Sequence, residues 1–328
     1  MPQAKAAPLV TRANFNEADY LESNPDVAEA VAAGVIASGL RHFEQYGLEE
    51  HRRASPARGI AALRKAKFAR LKPLLNLAWP YVRRGEKYDF LTEELRAQAG
   101  ISDTENVASN HYDPQTRELI RRHADGLVLD CGAGRRQVYY PNVVNFEVVD
   151  YDTTDIIGAG EQLPFKDNAF DAIISLAVLE HVRDPFACAR EIIRVLKPGG
   201  ELLCGVPFLQ PQHGYPNHYY NMAPQGLRAL FERDLVIEDH RVTDAALPIW
   251  TLTWVLQSWA AGLDDAARGE FLALRVADLM RSPQDYLDRG WVRGLSAEKN
   301  MELACGTLLT ARKPAAPTAV KKAPAKRR

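Results

Sequence analysis

Cysteine is scarce in this 328-residue sequence, which contains only four. The four are far apart, and none belongs to a C-x-x-C pair or to a Cys/His cluster with zinc spacing; they are Cys131, Cys188, Cys204 and Cys305. We therefore predict neither a disulfide framework nor a metal site. The sequence also lacks an apolar run of 18 residues, and its first residues lack the continuous apolar segment of a secretory signal. These absences predict a cytoplasmic protein without a transmembrane segment.

Basic residues are unevenly distributed, although the formal net charge is only −1. Residues 52–87 contain eleven Lys or Arg and a single acid, Glu86, while residues 312–328 contain seven bases and no acid. The rest of the chain is therefore acidic. A basic segment of this kind can bind an anionic partner, dock onto the acidic body of its own chain, or form a solvated helix face. We favour docking or solvation and do not expect a nucleic-acid partner.

Amino-acid composition and the positions of Gly and Pro divide the chain into five regions. The C-terminal region is rich in Ala, Pro and Lys, which favours disorder, and the basic region shows helical spacing of apolar residues. The regions are a flexible N-terminus (1–14), a small helical module (15–53), a basic helical connector (54–112), the main domain (113–312) and a disordered basic tail (313–328).

The small helical module has a recognisable pattern. Asn24-Pro25 is typical of a helix start, and Gly34 and Gly47 lie where helices should end. With Tyr20-Leu21 and His42-Phe43, this segment resembles a YLxxNPDV-type module found in bacterial secreted and carbohydrate-related proteins. The resemblance implies a docking or packing element and no chemistry.

Apolar runs of strand length alternate with polar loops and helical patterns over residues 127–206, which predicts an α/β fold with a doubly wound parallel sheet. The first run ends at Asp130 and leads into Gly132-Ala133-Gly134, where glycines let the backbone approach a ligand. Gln137 stands where a dinucleotide fingerprint needs its third glycine, and no phosphate-binding Lys-Ser pair is present. Glu147 and Asp150 follow the second strand, where a carboxylate can accept hydrogen bonds from both hydroxyls of a ribose. The pattern favours an adenosine-type ligand without phosphate.

Including this first run, four segments occur in order over residues 113–243: VLDCGAG, GEQLPF, NAFDAIISLAVLEHV and REIIRVLKPGGELL. Together they resemble the Rossmann-like class of S-adenosylmethionine-dependent methyltransferases. The resemblance implies S-adenosylmethionine as the cofactor and a seven-stranded, mostly parallel sheet with an antiparallel last strand. Residues 235–242 and 302–312 are predicted to be the two terminal strands.

The resemblance also implies roles for individual positions. The glycine loop would wrap the methionine part of the cofactor, Glu147 or Asp150 would bind the ribose, the third segment would lie along the adenine, and the residues after the fourth strand would lie beneath the sulfonium. Each position has a structural alternative, such as an ordinary turn or a solvated acid. The implied cofactor-binding residues are Asp130, Gly132, Ala133, Gly134, Glu147, Asp150, Gly160, Glu161, Gln162, Leu163, Ser175, Leu176 and Ala177.

Three features depart from the family pattern. Arg135 replaces the third glycine of the first motif, and Ala159 replaces an aspartate that commonly holds the adenine amino group. Only eight residues separate Gly134 from Val143, so no crossover helix fits there, and the connection after Glu147 is equally short. We expect a pocket that is more open on this side.

The loop after the fifth strand, residues 207–221, is rich in His and Tyr, and loops at the carboxyl ends of parallel strands build ligand sites. Methyl transfer from a sulfonium mainly requires alignment, although a hydroxyl acceptor benefits from a general base. His213 and His218 are candidate catalytic bases, or they only fix the loop through hydrogen bonds. The predicted acceptor-binding residues are Phe208, Tyr215, Tyr219 and Tyr220.

Residues 244–300 are predicted to be a helical insertion. Its segment 249–263 is apolar on nearly all sides, which is typical of a buried helix, a lid or the interface of a homo-oligomer. The leading hypothesis is a cytoplasmic, bacterial methyltransferase for a small-molecule or glycan acceptor, with the glycan suggested only by the helical module. One alternative is a degenerate scaffold that docks partners, consistent with Arg135 and Ala159. The other is a nucleic-acid methyltransferase, for which no base-reading motif is present.

Overall fold

The computed structural model describes residues 15, 17, 20–21, 24–47, 57–102, 112–136, 138–214 and 217–312. The predicted flexible N-terminus, the predicted disordered tail and Tyr215 lie outside the described residues. The chain divides into two compact units, and the division falls after Trp250.

The described helices and strands are numbered here in chain order. The strands are β1 (Val82–Arg84), β2 (Lys87–Asp89), β3 (Val128–Cys131), β4 (Val143–Glu147), β5 (Ile156–Ile157), β6 (Phe170–Leu176) and β7 (Leu196–Gly205). The α-helices are α1 (Pro25–Ala32), α2 (Gly39–His42), α3 (Ala57–Leu71), α4 (Glu93–Ala99), α5 (Pro114–Arg122), α6 (Pro185–Val195), α7 (Pro224–Phe231), α8 (Pro248–Ala261), α9 (Asp265–Leu272), α10 (Gly290–Arg293) and α11 (Ala297–Leu303). Short 3-10 turns lie at Lys72–Leu74, Asp244–Ala246, Val276–Leu279 and Pro283–Tyr286, and a π-helical turn at Phe43–Gly47 continues α2.

The seven strands form one sheet in the order β1-β2-β5-β4-β3-β6-β7. All neighbouring pairs are parallel except β1 and β2, which form an antiparallel hairpin. The predicted seven-stranded, mostly parallel sheet is thus confirmed. The chain winds outward from β3 through β4 to β5, and then returns to the other side of β3 with β6 and β7.

The antiparallel strand is β1 and not the last strand of the chain. Residues 235–242 and 302–312, which we expected to be terminal strands, contain no strand in the structure. In the first segment Leu235 and Ile237 pack against the core, but the backbone is not part of the ladder, and Val236 is 90% exposed. In the second, Leu308 is 92% exposed, so its apolar pattern does not correspond to a buried strand face.

Helices cover both faces of the sheet. Asp113 begins α5 by accepting a hydrogen bond from the Thr116 amide at 2.7 Å, and Pro114 occupies the first helical position. The apolar side of α5, with Leu119 and Ile120, packs on one face with Val128, whereas the opposite face forms the larger core. Buried aromatic and aliphatic side chains fill that core, including Leu129, Phe146, Phe165, Phe170 and Ile173.

The basic helix α3 docks onto the acidic body of its own chain. Lys67 Nζ and Arg64 Nε donate to the two carboxylate oxygens of Asp155 at 2.7 and 3.2 Å, and Lys67 and Asp155 are fully buried. Lys67 Nζ also lies 3.6 Å from the centroid of the Tyr139 ring. Arg70 donates to two backbone carbonyls near α5. For these residues the interpretation of intramolecular docking is confirmed.

The small helical module has its own core. Tyr20, Val27 and Phe43 are buried together, and the Tyr20 hydroxyl lies 3.0 Å from His42 Nδ1. The Glu17 carboxylate accepts hydrogen bonds from the amides that begin α2, at 2.6 and 2.9 Å. These contacts account for the described helices of this module.

The second unit begins within α8. Trp259 stacks on Phe271 with ring centroids 5.6 Å apart, and Trp291 and Leu295 complete this core. Segment 249–263 is predicted from the sequence to be a buried helix, a lid or the interface of a homo-oligomer. In the structure Trp259 packs inward, whereas Leu252 is 49% exposed, so the helix is buried on one side only and its exposed side is also apolar. Across the described residues, no helix combines the length and the apolar character that a membrane span requires.

Candidate functional site

The strand order creates a topological switch point at the carboxyl end of the central strand β3. The chain leaves β3 in one direction toward β4 and later enters β6 on its other side, so the loops after these strands diverge and leave a crevice. Ligands of doubly wound sheets bind in such crevices outside the carboxyl ends of the strands. The predicted cofactor-binding residues lie at the carboxyl ends of β3, β4 and β6 or in the loops that follow β3, β4, β5 and β6.

The glycine loop after β3 has the backbone conformation that the sequence predicts. Gly132 and Gly134 have φ values of +81° and +61°, which are strained for residues with a side chain. A Cβ on Gly132 would lie 2.5 Å from Cγ2 of Val178, which follows β6. Glycine therefore allows the loops on the two sides of the switch point to approach each other.

Glu147 is buried at the end of β4 and contacts this loop directly. Its Oε2 accepts a hydrogen bond from the Gly134 amide at 2.7 Å, and its Oε1 accepts one from the Val148 amide at 2.7 Å. Burial raises the pKa of Glu147, and these backbone donors oppose the rise. A carboxylate has about four lone-pair directions, so acceptor capacity remains for a ligand hydroxyl.

Asp130 is buried beneath the glycine loop. Arg136 donates to both of its oxygens, at 2.8 and 3.2 Å, and the Tyr112 hydroxyl donates to Oδ2. Burial raises the pKa of Tyr112 well above its ordinary value, and the Asp130 charge adds to this rise. The Asp130 carboxylate thus fixes the base of the loop, together with the buried Ala133.

The loop after β4 holds a residue that sequence reasoning missed. The Tyr151 hydroxyl is buried and has no hydrogen-bond partner among the described residues, and burial with the nearby Glu147 charge raises its pKa to about 12. Asp150, the alternative ribose acid, is engaged by Lys87 Nζ at 2.5 Å. Arg135 pairs with the exposed Asp152 at 3.1 Å. A tyrosine in a polar loop gave no signal in the sequence that would distinguish it.

The segment predicted to lie along an adenine borders a cleft. Gly160 is buried, and a Cβ there would lie 2.8 Å from Cys188 Sγ. The Glu161 side chain accepts a hydrogen bond from the Arg183 amide at 3.2 Å. The side chain of Leu163 lies in the core and its amide donates to Glu191. Burial raises the pKa of Glu161. The cleft has a volume of about 420 Å³ and is lined by Leu95, Gln98, Ala99, Glu161, Gln162, Arg183, Asp184 and Ala187.

The end of β6 carries two unusual features. Ser175 is fully buried, and its hydroxyl has no hydrogen-bond partner among the described residues. Ala177 has φ +55°, a conformation that is uncommon for residues other than glycine and that is enriched at functional sites. Leu176 precedes it and is partly buried.

The loop after β7 packs on the turn after β6 and brings three histidines together. The Tyr219 and Tyr220 amides donate to the Glu180 carbonyl at 2.7 and 3.2 Å. The rings of His213 and His218 are 4.2 Å apart, and His181 lies 5.3 Å from His213, measured between centroids.

Both nitrogens of His218 are engaged within this loop. Nδ1 accepts from the His213 amide at 3.0 Å, so Nε2 carries the proton and donates to Asn221 at 3.1 Å. Burial lowers the pKa of His218. The predicted acceptor-binding side chains Phe208, Tyr219 and Tyr220 are exposed.

Glu180 is a second residue that sequence reasoning did not single out for chemistry. Its side chain is fully buried and neither carboxylate oxygen has a hydrogen-bond partner among the described residues. Burial raises its pKa to about 7. The structure thus unites Gly132, Gly134 and Glu147 on one side of the switch point, and His213 with Glu180 on the other.

Comparisons with known proteins match the same segment. The family model described as a methyltransferase domain matches residues 127–204. Escherichia coli YafE, an uncharacterized protein, is 34% identical over 111 residues, which cover 30% of this chain and 53% of that protein. Demethylmenaquinone methyltransferase of Corynebacterium glutamicum is 37% identical over 86 residues, which cover 25% of this chain and 37% of that protein. The chain thus spans about half or less of the length of these curated relatives.

Among solved structures, that of Bacillus subtilis YcgJ is 19% identical and covers 49% of this chain and 90% of its own, with a TM-score of 0.31. The methyltransferase-domain model matches the sequence of the segment that runs from β3 into β7. Residues 127–204, which contain the glycine loop and Glu147, therefore match a methyltransferase domain.

Proposed function

We propose that this protein transfers the methyl group of S-adenosylmethionine to a small-molecule acceptor held between the switch point and the loop after β7. The observation that carries the proposal is the contact between the left-handed glycine loop and the buried Glu147 carboxylate, with the Gly134 amide 2.7 Å from Oε2. This pair combines close backbone approach with a hydroxyl-binding carboxylate at the position where doubly wound sheets bind nucleosides.

The residues present fit the cofactor. Gly132 lets the loop after β3 approach Val178, Glu147 retains acceptor capacity for a ribose hydroxyl, and the buried Tyr151 hydroxyl has no hydrogen-bond partner among the described residues. When bound, S-adenosylmethionine supplies a methyl group that is activated by the positive charge on its sulfur. The protein contributes alignment, which can account for much of the rate of a displacement.

The acceptor side is formed by the loop after β7. Its exposed aromatic side chains, Phe208, Tyr219 and Tyr220, suit an acceptor with aromatic or apolar surface, and demethylmenaquinone in the name of one relative is of this type. The same rings would also stack on a sugar, so a glycan remains in the acceptor screen. His213 and His218 remain the candidate bases for a hydroxyl acceptor. His218 could act only after its two hydrogen bonds rearrange.

Calorimetric titration with S-adenosylhomocysteine tests the cofactor site. We expect Glu147→Gln to weaken binding about 10- to 100-fold, because a hydrogen bond to a charged group contributes about 1.5–3 kcal/mol. Tyr151→Phe removes one hydroxyl only and should weaken binding about three- to tenfold. Glu238→Gln, at an exposed position, is the matched control and should bind normally. A folded wild-type protein that binds neither S-adenosylmethionine nor S-adenosylhomocysteine would replace this proposal with the degenerate docking scaffold.

A nucleic-acid acceptor receives little support from the described residues. Arg64 and Lys67 are buried against Asp155 and cannot reach a phosphate without undocking α3. Arg84 and Lys87 pair with Asp89 and Asp150. Mass spectrometry of small-molecule and glycan extracts, searching for a product heavier by one CH2 group, is therefore the first acceptor screen.

A further inference from the structure

Glu180, His181 and His213 bring three metal-binding side chains together from two loops. One ligand atom of each lies within 4.8 Å of those of the other two, and His181 Nε2 is 3.7 Å from Glu180 Oε1. Zinc ligands lie about 2.0–2.2 Å from the metal, which places them about 3.3–3.6 Å from one another in a tetrahedral site. Movements of these side chains by about 1 Å would therefore bring the three ligand atoms to the distances that a zinc ion requires.

Glu180 supplies an independent sign that a ligand belongs here. Its side chain is fully buried, and both carboxylate oxygens are without hydrogen-bond partners among the described residues. A buried carboxyl group without a hydrogen-bond partner is costly in either protonation state, and buried carboxylates that keep their charge are normally paired or coordinate metals. A cation beside these oxygens would remove that cost.

The imidazoles are oriented as metal-binding imidazoles usually are. His181 Nδ1 donates to the Asn217 carbonyl at 2.8 Å, and His213 Nδ1 donates to the Pro211 carbonyl at 2.9 Å. Because a carbonyl can only accept, each ring has its proton on Nδ1 and its lone pair on Nε2. Such backbone contacts commonly fix the tautomer and orientation of metal-binding histidines.

The surrounding loop holds these rings in place. His218 accepts from the His213 amide, so it orients the loop rather than offering a lone pair. Gly214, with φ +86°, lies against His181, where a Cβ would be 2.3 Å from Cε1. The site thus has a supporting shell built from both loops.

We propose that Glu180, His181 and His213 bind a divalent first-row transition-metal ion such as Zn²⁺. Two imidazoles and one carboxylate favour such an ion over Mg²⁺, which prefers an all-oxygen shell, and three protein ligands leave a position open for water or another oxygen ligand. In the part of this proposal that rests on the proposed function, the open position holds an oxygen atom of the acceptor, and His213 then binds the metal instead of acting as a base.

The test uses the untagged full-length protein after removal of metals by chelation. Calorimetric titration with Zn²⁺ should show one tight site per chain, and Co²⁺ should give visible absorption bands of a site containing nitrogen ligands. His181→Ala, His213→Ala and Glu180→Gln should each weaken Zn²⁺ binding at least tenfold, whereas His240→Ala, at an exposed position, should bind as the wild type does. Circular dichroism establishes that each variant is folded.

Several results would overturn the proposal. These are wild-type protein without a Zn²⁺ site, His181→Ala and His213→Ala variants that bind as tightly as the wild type, or a site that binds Mg²⁺ in preference to Zn²⁺. S-adenosylhomocysteine binding is measured on the same samples. Zn²⁺ binding without nucleoside binding would refute the proposed function and keep the metal site, and the reverse result would do the opposite.

Discussion

Lys67 connects the basic helix α3 to the sheet, and its replacement by methionine tests how strongly that connection stabilises the protein. The Lys67 ammonium lies 2.7 Å from Asp155 and both side chains are fully buried. Burial lowers the pKa of Lys67 to about 8, so the side chain still carries its charge at neutral pH. Methionine keeps the apolar stem but leaves Asp155 with less compensation. Removing one partner of a buried ion pair costs about 3–5 kcal/mol.

We expect the lower end of this range, about 3 kcal/mol, because Asp155 keeps hydrogen bonds from Arg64, Tyr139 and the Asn145 amide. Urea unfolding followed by circular dichroism measures the loss. Lys65→Met, on the exposed side of the same helix, should change stability by less than about 0.5 kcal/mol. Equal stabilities of the two variants would refute the docking of α3 through this ion pair.

Three further predictions concern the carboxyl edge of the sheet. Gly132→Ala should destabilise the protein by about 1–3 kcal/mol and weaken S-adenosylhomocysteine binding, because φ is +81° and the new Cβ would collide with a valine, as calorimetry and thermal unfolding can show. Gly214→Ala should weaken Zn²⁺ binding by displacing His181, whereas Gly199→Ala, which has a similar φ of +77° and no neighbour within 4 Å, should not; equal affinities would contradict the contact. Nucleoside affinity should fall as the pH falls through the raised pKa of Glu147, because the protonated carboxyl group accepts fewer hydrogen bonds. An affinity that stays constant from pH 8 to below the ordinary pKa of a glutamate would contradict the assignment of Glu147 to the ribose.

Strands β3 to β7 were predictable because each contains a short apolar run followed by a loop with glycine or acidic residues. The β1–β2 hairpin was not, since Val82–Arg84 and Lys87–Asp89 are polar and sit within a basic stretch that suggested helix. Gly85, with φ +58°, forms the turn together with Glu86, but one glycine followed by a glutamate is a weak hairpin signal. The apolar residues of 235–242 instead pack beside the sheet without joining its ladder.

The cofactor side of the candidate site was more accessible to sequence reasoning than the acceptor side. Gly132, Gly134 and Glu147 are ordered by local turns and by pairing of adjacent strands, so their spacing carries the information. Glu180 and His213 are 33 positions apart and meet only because two loops at neighbouring strand ends fold onto each other. No periodicity in the sequence encodes such a contact.

The segregation of charge in the sequence and the shortness of its crossovers have one structural explanation. The connections from β3 to β4 and from β4 to β5 contain no helix among their described residues. The basic helix α3 takes that place: Lys67 lies over Tyr139 of the first connection, and Arg64 donates to the carbonyls of Asp152 and Thr154 in the second. Helix α3 precedes β3 in the chain and lacks the short connections that hold a crossover helix between two strands. Side-chain contacts must therefore fix its position. Hydrogen bonds from cationic side chains to a buried aspartate and to backbone carbonyls fix the orientation of the helix, which apolar contacts alone would not do. The predicted open side of the pocket is therefore bordered by α3, and its basic composition reflects a structural requirement of the sheet.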